Sequence, residues 1–209
     1  MKLLVLGATG GTGREIVTQA LEQSHETTVF VRNPEPLQDL RKNIRVLTGD
    51  VTDEGPALPR AIAGQDLVIS ALGVGKSFKS RGLIGRTAPL IVNAMAKEGV
   101  RRLLFVSAYG VGATWRDVPV FPRVLMRLLL SDIYRDKEDG EKHVLQSDLD
   151  WTVIYPVTLT NGGTTGKYRV GERLSLGGFP TISRADVAHF LLKEVSVHTY
   201  SRKRILISY

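Results

Sequence analysis

The segment Gly7-Ala-Thr-Gly10-Gly-Thr-Gly13 lies between an apolar run, Lys2–Leu6 (KLLVL), and a helical stripe of Ile16, Val17, Ala20 and Leu21. A buried strand that turns directly into a helix accounts for this glycine spacing. The first glycine permits the tight turn, the second lets a ligand's phosphates approach the backbone, and the third lets helix and strand pack closely. Free N–H groups at the helix start, with the positive end of its dipole, then face an anion. Glycine turns are common, so the string alone is a weak signal. Placed after an apolar strand and before a helical stripe, it predicts a dinucleotide-pyrophosphate loop made by Gly7, Thr9, Gly10, Gly11, Thr12 and Gly13.

Beyond the loop, short apolar runs alternate with helical patterns, as in a parallel sheet covered on both faces. Strands are expected at Thr27–Val31, Ile44–Leu47, Asp66–Ser70, Arg102–Ser107, Trp151–Tyr155 and Arg204–Ser208. Leu90, Ile91, Ala94 and Met95 form a second helical stripe that Gly99 closes, and Ser183-Arg-Ala-Asp186 predicts the capped start of a last helix. The expected fold class is α/β: a single Rossmann-type domain over residues 1–209, doubly wound, with a mainly parallel sheet of about seven strands. Its substrate side is expected in loops at 74–86, 109–135 and 157–180. Two stretches break the alternation. Val118–Ile133, apolar and flanked by prolines, reads as a core helix, a flap or a dimer face; Asn161–Gly178, rich in Gly and Thr, reads as a mobile loop with a short hairpin.

Composition excludes several chemistries. The chain has no cysteine, which removes disulfides, thiolate nucleophiles and cysteine-based metal sites. Its four histidines, His25, His143, His189 and His198, lack ligand spacing, so no metal is expected; His143 and His189 read as helix-surface residues. The formal net charge of +7, with clusters at Arg101-Arg102 and Arg202-Lys203-Arg204, marks either a solvated basic surface or attraction for polyanionic ligands. No nucleic-acid-binding motif accompanies the charge, so no nucleic-acid partner is expected. No apolar run reaches the ~18 residues of a membrane span and no signal-peptide pattern opens the chain, so the expectation is a cytoplasmic protein, monomer or homodimer, with no membrane partner.

Cofactor choice is read at the end of the second strand. Many NAD-binding domains place a carboxylate there to hold the ribose hydroxyls. Here the segment is Val31-Arg32-Asn33, and a guanidinium suits a 2′-phosphate, so NADP(H) is expected over NAD(H) unless Arg32 is only a solvated strand end. Asp50, before Val51, is either an adenine contact or a turn residue. Ala71-Leu72-Gly73 offers small residues beneath a ribose. Ser107 ends the fifth strand, where a side chain either faces the nicotinamide or is an ordinary strand-end serine. Tyr155 is either a wall of the site or a core aromatic, and Lys76 and Lys79 either meet phosphate or are solvated.

Taken in order, GATGGTG, TVFVRN, Gly49-Asp50-Val51, AGQDLVI, Ala71-Leu72-Gly73, the IVNAM helix, Ser107, Leu149–Pro156 (LDWTVIYP), TGKYRV and ISRADVAHF resemble the atypical short-chain dehydrogenase/reductases with NAD(P)H-binding, NmrA-like domains, nearest their biliverdin-IXβ/flavin reductase group. The resemblance implies that the glycine loop holds pyrophosphate, Arg32 the 2′-phosphate, Asp50 and Val51 the adenine. Gly73 and Ser107 would lie along the nicotinamide half, with Pro156 and Val157 on its carboxamide side. It also implies hydride transfer to a planar flavin-, quinone- or bilin-like acceptor, with flavin a substrate rather than a bound group.

The chain departs from that group where Val157-Thr158 replaces a Pro-His step, and where Pro36 occupies a place often held by a second basic residue. Ordinary short-chain dehydrogenases carry Tyr-x-x-x-Lys, but four residues before Lys137 stands Ile133. Tyr134 is one position, about 100°, out of register. That disfavours alcohol–ketone chemistry and sugar epimerases or dehydratases. Flavin or quinone reduction survives it, because proximity does most of the work and protons can come from water. The alternative is a non-catalytic NADP(H)-sensing regulator of the NmrA-like kind, acting through a protein partner.

Overall fold

The structure, a computed structural model, describes residues 1–75, 77, 79–117 and 130–209. Five strands expected from apolar runs pair in parallel in the order β3 (Arg45–Thr48), β2 (Glu26–Val31), β1 (Lys2–Leu6), β4 (Leu67–Ser70), β5 (Arg102–Val106), and β6 (Asp150–Pro156) follows β5. Two further short strands, β7 (Thr158–Thr160) and β9 (Thr181–Ser183), pair in parallel outside this sheet. The main sheet is completed by β10 (Lys203–Ser208), parallel to β6, and at the edge β8 (Arg169–Gly171), antiparallel to β10. The outcome is a single-domain α/β Rossmann-like fold whose sheet has eight strands rather than about seven.

Helices cover both faces because the central strands β1, β4, β5 and β6 are buried along nearly their whole length. On one side α1 (Gly11–Glu22) packs beside α5 (Arg184–Val197), burying Ile16, Val17 and Ala20 against Val187, Leu191 and Val195. On the other, α2 (Ala57–Ile62), α3 (Leu83–Glu98) and α4 (Ser131–Gln146) bury Leu58, Ile62, Ile91, Met95 and Val144. Two expected helix signals act as read. Gly99 closes α3 in the left-handed conformation, and the Ser183 hydroxyl accepts from Asp186 N at the start of α5. Among the described residues no helix is long and apolar enough to cross a membrane.

Three expectations need correction. Residues 161–178 form no hairpin: β8 reaches across to β10, and β7 takes β9. The loop that follows β7 is also tied down, since the buried Asp186 carboxylate accepts from Thr165 N, Thr165 Oγ1 and Gly166 N, each at 2.8 Å. Burial pushes that carboxyl up, but its donors, Tyr209 among them, outweigh burial and hold it below its ordinary range. His189 is half-buried rather than on the surface, with Nδ1 2.7 Å from the Tyr168 hydroxyl; His143 is exposed as expected. Of Val118–Ile133, residues 118–129 lie outside the described residues, as does Lys76.

Candidate active site

The order β3-β2-β1-β4-β5 reverses the direction of winding between β1 and β4, where open α/β sheets bind ligands at their carboxyl edge. A cleft of about 1120 Å³ occupies that edge. From the glycine loop it takes Gly7, Thr9, Gly10, Gly11 and Thr12; from the second and third strands Val31, Arg32, Asp50 and Val51. The end of β4 adds Ala71, Leu72 and Gly73, β5 adds Ser107, and β6 adds Pro156 and Val157. Val74, Gly75, Ser77, Leu83 and Ile84, then Leu130 and Ile133, then Leu159, come from the three loop regions expected to bear the substrate side.

The loop is shaped for close approach. Gly7 has φ +80°, and a Cβ there would stand 2.5 Å from Ala71 O, so the chain leaving β4 passes directly over the turn. Gly13 lies outside the cleft but packs the helix onto the strand: its Cβ would meet Gly7 O at 2.1 Å. Gly10 caps α1 without a side chain, and no acidic residue occupies the first turn, so nothing competes with an anion for the helix's leading N–H groups. This tight glycine turn, with the leading N–H groups of α1 left uncapped by any side chain, fits a dinucleotide's pyrophosphate. Arg32 is exposed and lines the cleft. Asp50 acts as a turn residue, its Oδ1 accepting from Thr52 N and Thr52 Oγ1 at 2.8 Å each, while also lining the cleft; those bonds hold its carboxyl below the ordinary range.

Tyr155 does not reach the cleft. Alternation along β6 turns it, with Trp151 and Val153, toward α3 and α4, where it is fully buried and its hydroxyl donates to Glu141 Oε1. The same carboxylate receives Ser107 Oγ at 3.1 Å, so the two residues singled out from the sequence meet on a glutamate that its motifs do not mark. Burial and the neighbouring Glu141 push the Tyr155 hydroxyl well above its ordinary range. Tyr134 also misses the cleft: its hydroxyl donates to Tyr109 O, and burial raises it to about 12.

Two cations complete the site. Lys137 lies one turn after Ile133 on α4, and both line the cleft, so the lysine of the broken Tyr-x-x-x-Lys pattern is in place and an aliphatic side chain stands where the tyrosine would be. Desolvation lowers Lys137 from the ordinary 10.5 to about 8, against the opposing pull of Asp136 and Glu141. Arg184, the second residue of the capping sequence, reaches back over the glycine loop: a Cβ on Gly11 would be 2.8 Å from Arg184 Cδ, and its NH1 donates to Asn161 Oδ1 at 2.6 Å. Lys79, by contrast, does not line the cleft. The basic clusters at Arg101-Arg102 and Arg202-Lys203-Arg204 have structural partners elsewhere, including Arg102–Glu194 and Lys203–Glu172.

The low basicity of Lys137 carries a prediction independent of turnover. At pH ~8 about half of its amine is neutral and nucleophilic. An amine-acylating reagent should modify Lys137 at least about tenfold faster than the exposed Lys97, and NADP(H) should protect it. Peptide mapping after brief labelling checks this; equal labelling of the two lysines would refute the desolvated setting.

Comparison with known proteins gives a consistent picture. A family model described as NAD(P)H-binding matches residues 7–197. YwnB of Bacillus subtilis is 26% identical, over 99% of this chain and 98% of its own. The reductase pytE of Aspergillus terreus is 25% identical, over 97% and 96%. Among solved structures, the anaerobilin reductase ChuY of Escherichia coli superposes with a TM-score of 0.82 at 22% identity, covering 99% of this chain and 96% of that one, a likeness of fold.

Proposed function

The chain belongs to the NAD(P)H-binding family, and from that premise we propose that it is an NADPH-dependent reductase acting on a planar flavin-, quinone- or bilin-like acceptor bound as substrate. When bound, the nicotinamide cofactor supplies the hydride. One observation carries the reading: the cleft that includes the glycine loop is also lined by the apolar side chains of Leu130, Ile133, Val157 and Leu159, and by Ser107. The chain's own work is positional. The glycine loop and Arg184 hold the anionic middle of the dinucleotide, Arg32 selects a 2′-phosphate, and Lys137 lends positive charge below pH ~8. Ile133 removes the phenol on which alcohol–ketone chemistry would depend, whereas stacking and hydride transfer require no such group. The reductase relative pytE supports the reaction class; the acceptor class rests on the apolar lining of the cleft.

The test is oxidation of NADPH and NADH against FMN, FAD, riboflavin, a quinone and biliverdin, by wild type and Arg32→Ala. Loss of a charge-assisted phosphate contact should raise KM for NADPH about 10- to 100-fold and leave NADH nearly unchanged. Tight NADPH binding with no turnover of any acceptor would sink the reductase reading in favour of a nucleotide-sensing regulator.

A further inference from the structure

Behind the cleft lies a buried carboxyl that positioning of the dinucleotide does not require. Glu141 on α4 is 2% exposed and bridges two strands: Ser107 Oγ at the end of β5 donates to Oε2 at 3.1 Å, and the Tyr155 hydroxyl on β6 donates to Oε1. Ser107 also lines the cleft, which neither Glu141 nor Tyr155 does, so of the three it is the residue that borders a bound molecule. We propose that Glu141 is the proton store of this site, passing its proton through Ser107 to the acceptor as the acceptor takes up hydride. The inference rests on the reductase reading.

The geometry sets the polarity of the Ser107 hydroxyl. With Glu141 ionised, both neighbours donate to it, and Ser107 turns only lone pairs to the cleft. With Glu141 protonated, Oε2–H donates to Ser107 Oγ, which frees the serine proton to point into the cleft. During reduction the Oε2–H bond breaks as a new Oγ–H bond forms, and the original Oγ–H bond breaks as the acceptor gains its proton. The acceptor thereby gains the hydride (one hydrogen with its electron pair) and one further proton, and Glu141 is left as a carboxylate for solvent to reprotonate.

The groups facing Glu141 set its titration. Burial raises it, the Tyr155 and Ser107 hydroxyls lower it, Arg204 on β10 lowers it, and Glu138 on its own helix raises it; the balance is upward. Lys137, one turn earlier on α4, senses the same carboxylate.

Three variants and an infrared measurement test the relay. Acid catalysis through a positioned group contributes about 100-fold, so Glu141→Gln should lower kcat by that order and abolish its fall at alkaline pH, with KM for NADPH unchanged within about twofold. Tyr155→Phe keeps the carboxyl but removes a donor to its ionised form, and should move the alkaline limb upward in pH, which a purely structural glutamate would not do. Lys137→Met should retain the limb. In the protein without cofactor, the wild-type minus Glu141→Gln infrared difference should show a carboxylic-acid band that persists above the ~4.3 of an ordinary glutamate and fades toward higher pH. An unaltered pH profile in Glu141→Gln, a limb lost only in Lys137→Met, or no such band overturns the relay while the reductase reading stands. Failure of the wild type to reduce any acceptor overturns both.

Discussion

Gly13→Ala should destabilise the protein by on the order of 3 kcal/mol and weaken NADPH binding about 100-fold, although alanine is ordinarily the better helix residue. In an unconstrained helix the exchange would stabilise by about 1 kcal/mol. Here the added methyl meets Gly7 O at 2.1 Å, Gly7 C at 2.7 Å and Ala8 Cα at 2.8 Å, all backbone, so no side chain can rotate aside. Either α1 lifts from β1, exposing Ile16 and Val17, or the turn at Gly7 opens and displaces the N–H groups that cradle the pyrophosphate. Gly73→Ala is the control. A Cβ there meets nothing within 4 Å, so stability should change by less than about 0.5 kcal/mol. Urea denaturation of both variants, with fluorescence titration of NADPH for Gly13→Ala, decides the matter. A Gly13→Ala protein as stable and as tight-binding as wild type would show that close packing of α1 on the turn is not what the third glycine secures.

That contrast marks what the sequence can and cannot convey. Gly13 and Gly73 are the same letter at or near the same cleft, but only motif context, a strand before and a helix after, gives Gly13 its steric meaning. Strands β1 to β6 and β10 are legible because each carries a short apolar run bounded by polar or turn residues. β7, β8 and β9 have three residues each, and β8 pairs with a strand more than thirty residues later, so local turn chemistry in 161–178 suggests a hairpin that the distant partner overrides. The cleft is legible wherever a contact sits at a strand's carboxyl end, as at Arg32, Gly73, Ser107 and Pro156. Position along a strand does not give the face: Tyr155 is one residue before Pro156 yet points into the opposite layer. Lys137, Arg184 and Glu141 arrive from helices, whose rotation only tertiary packing sets. For Arg184 the visible signal, Ser183 to Asp186, predicts a cap and leaves the arginine's direction open.

The other large effect concerns stability far from the cleft. Arg102→Met should cost about 3–5 kcal/mol at neutral pH, because it strands a buried carboxylate. The Arg102 side chain is 10% exposed, and its NH2 lies 3.1 Å from Oε1 of Glu194, itself 3% exposed; NH1 reaches Asp150 O at 3.1 Å and Oδ1 at 3.3 Å. The guanidinium thus joins β5, β6 and α5 at one point. Burial lowers its basicity and the two carboxylates offset part of that, so the charge there depends on its partners. Without Arg102, Glu194 keeps, among the described residues, the neutral donor Tyr200 N at 2.6 Å, too little to compensate a buried carboxylate. Arg102→Met with Glu194→Leu should recover much of the loss, since replacing a whole buried pair by apolar side chains is often nearly neutral, less about 1–3 kcal/mol for the unmet Tyr200 N–H. Urea midpoints of the single and double variants at neutral pH check both claims. A single variant within about 1 kcal/mol of wild type would mean that Glu194 is solvated well enough to stand alone.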